Sequence, residues 1–371
     1  MQKKKVMVAM SGGVDSSVAA ALLLDQGYEV TGATLKLFSN DDIGIEERGR
    51  TCCSLEDVQD ARSVAYKLGF EHYVFNFGMH FQRTVMSRFA DEYVNGRTPN
   101  PCIDCNRFVK FSKLLDRALL LEQDYIATGH YARIEYNDNT KRYELKKAAD
   151  RSKDQTYVLY ALTQEELSRT LFPLGGMLKS EVRKIAEERG LVNARKPDSQ
   201  DICFVPDGNY ANFIENVMGM ELKPGNFVDV NGNILGRHKG IIHYTIGQRR
   251  GIGLSFDGPR YVVDKDIETN TVVLGTEKDL YTEGLIATDV NWISISALDS
   301  PMNVTAKTRY SQTEAPAVIS PLEGGRVLLR FEVPQRAVTP GQAVVFYDGD
   351  TVVGGGTIYK SVRDKAEKEV E

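Results

Sequence analysis

The residues best suited to chemistry lie near the start of the chain. Ser11-Gly12-Gly13-Val14-Asp15-Ser16-Ser17 follows the apolar run Val6 to Met10 and opens a helical pattern. Two adjacent glycines let a backbone approach a ligand closely. The helix behind them offers unpaired amides and the positive end of its dipole, an anion site. Ser11, Ser16 and Ser17 add hydroxyl donors. Asp15 is out of place beside bare phosphate unless Mg²⁺ bridges the two. The chain has no Gly-Lys-Ser/Thr ending of a Walker A loop, and this segment lacks Gly-x-Gly-x-x-Gly spacing. A capped helix after a glycine turn is the plain structural alternative. The whole heptad between a strand and a helix favours a nucleotide phosphate site.

Cysteines form the second constellation. One segment runs Thr98-Pro99-Asn100-Pro101-Cys102-Ile103-Asp104-Cys105-Asn106; the other runs Lys196-Pro197-Asp198-Ser199-Gln200-Asp201-Ile202-Cys203-Phe204. Both set cysteine in a polar stretch, whereas structural cysteines usually sit in apolar runs. Arg107, Lys110 and Lys196 flank them and would favour thiolates. Either segment alone reads as packing or loop. Beside a nucleotide loop, together they read as a reactive pair. Cys102, Cys105 and Cys203 also suit three ligands of a [4Fe–4S] cluster, a zinc site or a redox pair. Cys52 and Cys53 read as loop or packing residues.

These groups need elements to hold them. Lys5 to Met10, Glu29 to Phe38, His72 to Phe75 and Tyr125 to Thr128 read as strands. They alternate with helical patterns over Ser16 to Gln26, Leu55 to Leu68 and Phe111 to Leu121. Such alternation predicts an α/β fold, a doubly wound parallel sheet with helices on both faces. Further helices are expected over Gln164 to Arg169 and Lys179 to Gly190, with Leu174-Gly175-Gly176 between them. Near residue 220 the pattern changes to short Val/Ile/Tyr-rich runs broken by Gly, Asn, Asp and Pro. The expected strands include Phe227 to Val230, Tyr261 to Asp264, Thr271 to Leu274, Val304 to Tyr310, Arg326 to Phe331 and Ala343 to Tyr347. Gly324-Gly325 and Asp348-Gly349-Asp350 read as hairpin turns. The expected division is 1–218 for the catalytic domain, 219–284 for a small central β domain and 285–365 for a C-terminal β-barrel.

With 371 residues, 42% hydrophobic and 26% charged, the chain has room for several ordinary globular cores. Five cysteines do not make a secreted disulfide framework. No apolar run is long enough to span a bilayer or to serve as a secretory signal, so a cytoplasmic protein without membrane attachment is expected. A net charge of −5 argues against a globally basic nucleic-acid binder but leaves room for a local basic face.

The Ser11–Ser17 heptad resembles the PP-loop of ATP pyrophosphatases, which adenylate a carbonyl oxygen and release pyrophosphate. The two cysteine segments resemble those of the tRNA-specific 2-thiouridylases, the MnmA family. The resemblance extends through Thr51-Cys52-Cys53-Ser54, Ala127 to Arg133, Lys153-Asp154-Gln155 and Tyr244 to Arg249. It implies an adenine nucleotide alpha hydrolase-like PP-loop domain and ATP, with Mg²⁺, adenylating O2 of a wobble uridine in a tRNA anticodon. A persulfide on Cys203 then delivers sulfur to C2, and Cys105 acts as the nucleophile that closes a disulfide. The resemblance assigns ATP contacts to Ala9, Met10, Ser11, Gly12, Gly13, Val14, Asp15, Ser16, Leu35 and Gly129. It assigns contacts with tRNA or the target base to Asn100, Pro101, Cys102, His130, Lys153, Asp154, Gln155, Arg309, Tyr310 and Gln342. It also implies a sulfur-donor protein as partner; a monomer is expected.

The sequence departs from the family where Cys102 stands in place of an acid/base aspartate. Asp104 is a candidate to supply that role, and a cluster on Cys102, Cys105 and Cys203 is the alternative sulfur carrier. Lys307 and Arg309 are expected to alternate along one strand as a basic strip, extended by Arg249-Arg250 and His238-Lys239. The rival readings are a PP-loop amidotransferase or ligase, and a non-enzymatic RNA-binding or sulfur-carrier protein with a degenerate loop.

Overall fold

The computed structural model describes residues 3–44, 55–197 and 202–363. Cys52, Cys53, residues 198–201 and the tail from 364 lie outside them.

Five parallel strands form the first sheet. They are β1 (Lys5–Ala9), β2 (Glu29–Lys36), β3 (His72–Asn76), β4 (Tyr125–Ala127) and β7 (Thr170–Leu171), in the order β3-β2-β1-β4-β7. Val6, Met7 and Val8 are wholly buried. Central strands of a parallel sheet are covered on both faces, so an unbroken apolar run is what β1 needs. The helix Val14–Asp25 buries Val18, Ala19, Ala20 and Leu23, and the chain turns away at Gly27, whose φ is +87°. The expected doubly wound α/β domain is therefore present.

The sequence did not announce two features of this region. A continuous helical stretch fills Gly78 to Val94, and an antiparallel hairpin joins β5 (Ala132–Asn137) to β6 (Arg142–Lys147). That hairpin leaves the parallel sheet and joins the last strand of the chain through Thr351 opposite Lys146.

The central β region is a four-stranded sheet, with β8 (Gly225–Asp229), β9 (Ile234–His238), β10 (Tyr261–Asp266) and β11 (Thr271–Gly275) in the order β10-β11-β8-β9. The C-terminal strands are β12 (Tyr281–Trp292), β13 (Met302–Lys307), β14 (Ala315–Pro321), β15 (Val327–Arg336), β16 (Ala343–Asp348) and β17 (Thr351–Val362). They run β12-β15-β14-β13-β16-β17, and pairing of β12 with β17 closes the barrel. Closure removes the exposed edges that six paired strands would otherwise leave. The turns expected at Gly324-Gly325 and Gly349 are present, with positive φ at all three glycines.

The expected basic strand is corrected. β13 stops at Lys307, so Arg309 and Tyr310 lie in the bend beyond it rather than alternating with Lys307. His238 is also not part of a surface strip. It is 3% exposed and packs edge-on against Phe227 and Tyr244. Arg249 and Arg250 are exposed as expected.

Candidate active site

The Ser11–Ser17 loop sits where β1 ends and the helix Val14–Asp25 begins. Gly12 adopts φ +72°, and a Cβ there would lie 2.5 Å from the Asp57 carbonyl oxygen. Only glycine allows both that conformation and that approach. Gly129, just past β4, presses on the helix N-terminus, where a Cβ would lie 2.6 Å from the Ser16 amide nitrogen. Ser16 Oγ accepts from the Ser11 amide and donates to Gly13 O, and Ser17 Oγ donates to Gly13 O. Ala9, Met10 and Val14 form the apolar floor. Leu35 is buried near the end of β2, opposite Phe75.

Asp15 has partners within the protein. Lys179 Nζ donates to both of its oxygens at 2.7 Å, and the Tyr131 hydroxyl donates to Oδ1 at 2.9 Å. The oddly placed acid is thus neutralised from within the protein. Asn193, 3% exposed, donates from Nδ2 to Gly12 O, Gly13 O and Ser17 Oγ. Neither Lys179 nor Asn193 had a sequence signal, since each lies more than 160 residues from its partner.

The cysteine segments hold a different surprise. Pro101–Cys105 opens a continuous helical stretch that runs to Leu120, capped by Asn100 Oδ1 accepting from the Cys102 amide at 3.1 Å, with Pro101 in the first turn. Proline suits that turn because its missing N–H would have no partner there. Cys102 is exposed and Cys105 buried. Burial pushes the Cys105 thiol up to about 11, and nearby Lys110 only partly offsets this. The expected thiolate-favouring bases are otherwise engaged. Arg107 pairs with Asp289 at 2.5 Å, and Lys196 bonds Asp57 and Asp60 at 2.6 and 2.7 Å. Cys203 is partly buried and packs against the apolar cluster that contains Cys105. Phe204 anchors it, 2% exposed among Phe81, Phe89 and Phe213.

Asp104 is buried as well. It lines a cleft at the junction with the barrel, together with Arg88, Asn100 and Tyr160. Burial raises its carboxyl to about 6, against the pull of Arg88 and Arg107. Arg88 Nε lies 3.3 Å from Asp104 Oδ2. An adjoining cleft of about 360 Å³ is bounded by Arg97, Arg107, Phe108 and Tyr359.

Several residues assigned to tRNA gather around Tyr310. Cys102, Lys153 and Asp154 all act electrostatically on its phenol, whose proton affinity burial raises. Asp154 accepts from the Ala148 amide and the Thr156 hydroxyl, and Gln155 Oε1 accepts from the Tyr131 amide. The Gln155 bond ties the 153–155 loop to Tyr131, between β4 and β5. His130 is half enclosed by Phe111 and Phe172, bonds Thr128 Oγ1 at 2.7 Å, and is held neutral by burial. Arg309 Nη2 donates to Ile246 O, Ala337 O and Thr339 Oγ1. Gln342 donates to Thr98 O at 2.8 Å, linking the barrel to the cysteine segment. Among the described residues no three His, Cys, Asp or Glu side chains converge as metal ligands. The donor set expected for a cluster therefore does not assemble among the described residues.

A parallel sheet with a glycine phosphate loop, followed by two β modules, defines a HUP-type nucleotide-binding protein. Residues 4–207 match the family model described as the tRNA methyl transferase HUP domain. Residues 211–276 match the tRNA methyl transferase PRC-barrel domain, and 282–358 the Aminomethyltransferase beta-barrel domain. Over 358 residues the chain is 60% identical to the tRNA-specific 2-thiouridylase MnmA of Acetivibrio thermocellus, covering 96% of this chain and 100% of that one. It is 56% identical over 367 residues to the MnmA 2 of Caldanaerobacter subterraneus subsp. tengcongensis, covering 98% and 100%. The chain belongs to the tRNA-specific 2-thiouridylase (MnmA) family.

Proposed function

We propose that this protein is a tRNA uridine 2-sulfurtransferase that uses ATP to make 2-thiouridine at the anticodon wobble position. One observation carries the reading: a chain 60% identical to a tRNA-specific 2-thiouridylase gathers Cys102, Lys153 and Asp154 around Tyr310. In this reading residues 1–218 perform the chemistry, while 219–284 and 285–365 grip the RNA. The uridine must leave its stack to reach a nucleotide and a cysteine together.

The uridine O2 attacks the α-phosphorus of ATP, and pyrophosphate leaves. The outer sulfur of a Cys203 persulfide attacks C2, and AMP departs with O2. Cys105 then attacks Cys203 Sγ. The S–S electron pair stays with the thiolated base, a Cys105–Cys203 disulfide forms, and a thiol reductant clears it. Mg²⁺, when bound, offsets charge on the departing pyrophosphate. Burial favours the Cys105 thiol, so its attack requires loss of that proton. A sulfur-donor protein loads Cys203, and the setting is cytoplasmic; no helix among the described residues is long and apolar enough to cross a membrane.

We favour cysteine over a cluster because the three expected ligands do not converge. An amidotransferase or ligase would leave the cysteine pair without a purpose. The test incubates the purified protein with ATP, unmodified tRNA and a persulfide donor. Wild type releases AMP only with tRNA and makes thiolated tRNA. Cys203→Ala abolishes thiolation with tRNA affinity unchanged. Thiolation retained by that variant would remove Cys203 from sulfur transfer, and no tRNA-dependent AMP from wild type would remove the function.

A further inference from the structure

We propose that Asn193 is a positioning residue for the phosphate loop: its buried amide pins two loop carbonyls inward and so aims the Gly13 and Val14 N–H groups at the nucleotide phosphates. The inference rests on the ATP reading above and adds a residue to it.

The geometry is direct. Asn193 Nδ2 lies 2.9 Å from Gly12 O, 3.1 Å from Gly13 O and 2.8 Å from Ser17 Oγ. In a trans peptide the carbonyl and the next residue's N–H point in opposite directions. Drawing Gly12 O inward therefore turns the Gly13 N–H outward, and drawing Gly13 O inward does the same for Val14. These amides open the helix Val14–Asp25, where no intrahelical acceptor is available to them. Glycine peptides are the least restrained in the chain, so a donor that joins Ser16 and Ser17 on Gly13 O and also holds Gly12 O preorganises the anion site.

A second feature separates this from simple packing. Asn193 Oδ1 is buried and finds no partner among the described residues. A buried acceptor without a donor is costly, and an apolar side chain would avoid that cost. The amide is worth keeping at this position for its Nδ2. The three acceptors around that atom also settle which end of the side chain is nitrogen. Ser17 completes the device, accepting from Nδ2 while donating to Gly13 O at 3.0 Å.

The test compares ligands that do and do not reach the loop. Calorimetric titrations of full-length wild type, Asn193→Ala and Asn193→Ser use ATP directly, with adenosine measured by competition. Asn193→Ala should weaken ATP by about tenfold or more, the loss expected for hydrogen bonds that serve a charged ligand. Adenosine, which has no phosphates, should change by less than about twofold, and Asn193→Ser, with one donor, should fall between. A folded Asn193→Ala with unchanged ATP affinity overturns the inference, as does an equal loss for ATP and adenosine. If the alanine variant does not fold, the serine variant decides by the same ratio. Wild type that binds adenosine but not ATP overturns the nucleotide reading itself, a failure visible before any variant is made.

Discussion

Burial acts on two neighbouring residues with different consequences. Cys105 is pushed up to about 11 and stays a thiol at neutral pH, while Asp104 is raised to about 6 and titrates close to it. For Asp104 the sign of the pH effect follows from linkage. Unfolded, the carboxyl titrates near ~3.9, so between there and about 6 the folded state holds the extra proton. Stability from this group is full below the unfolded value and is lost as pH rises through the folded one. Asp104→Asn removes that loss. Melting temperatures of wild type and variant, taken from about pH 4 to about pH 7, should diverge with wild type falling relative to the variant. A difference that does not change with pH would mean that the carboxyl is not raised. The sequence marked Asp104 as a carboxyl beside the cysteines. It could not show that the residue faces the barrel, because its burial is made by Tyr160 and residues beyond 340.

At the scale of elements, the helical stretch that starts with the cysteine segment opens on a cap. The stretch begins at Pro101, and the amides of its first turn need partners from outside the helix. Asn100 Oδ1 holds the Cys102 amide, and Gln342 and the Pro340 carbonyl hold Thr98 from the barrel side. Asn100→Ala should cost about 1 kcal/mol, seen as a lower midpoint in chemical denaturation, whereas Asn100→Asp should keep the cap. Equal midpoints for alanine and aspartate would deny the cap its role. Pro101 after Asn100 was a readable helix start, yet the polar segment was taken for loop because its apolar residues are few. The β5–β6 hairpin escaped for a related reason. Ile134 and Tyr136 alternate, as do Tyr143 and Leu145, and Asn137-Asp138-Asn139-Thr140 is turn-like. The strands are half polar because they border a barrel more than 130 residues away in sequence. The parallel sheet was legible because its strands are buried apolar runs set between periodic helices.

Across the whole molecule, the β modules are bonded to the catalytic domain through backbone carbonyls rather than through a charged seam alone. Tyr157 donates to Ala343 O, Asn291 to Tyr160 O and Leu162 O, and Arg142 to Trp292 O and Ile293 O. Arg309 belongs to this class of contact. Its guanidinium joins Ile246, near the central sheet, to Ala337 and Thr339 at the barrel. A resemblance can align Arg309 with an RNA-contact position, but only the fold reveals that its Nη2 is bonded to backbone and hydroxyl oxygens inside. Lys153 differs, since it is half exposed beside Tyr310 on the 153–155 loop. The two therefore predict different salt behaviour. Neutralising one phosphate contributes about 0.7 to 0.9 to the slope of log affinity against log salt. Lys153→Ala should lower that slope by about one contact, weakening tRNA most at low salt. Arg309→Ala should lower the melting temperature and weaken tRNA with the slope nearly unchanged, because the loss is of shape rather than of a phosphate partner. Filter-binding titrations across a salt series, read beside thermal melts, separate the two. An equal loss of slope in both variants would place Arg309 on the phosphate backbone after all, with its carbonyl bonds released when RNA binds.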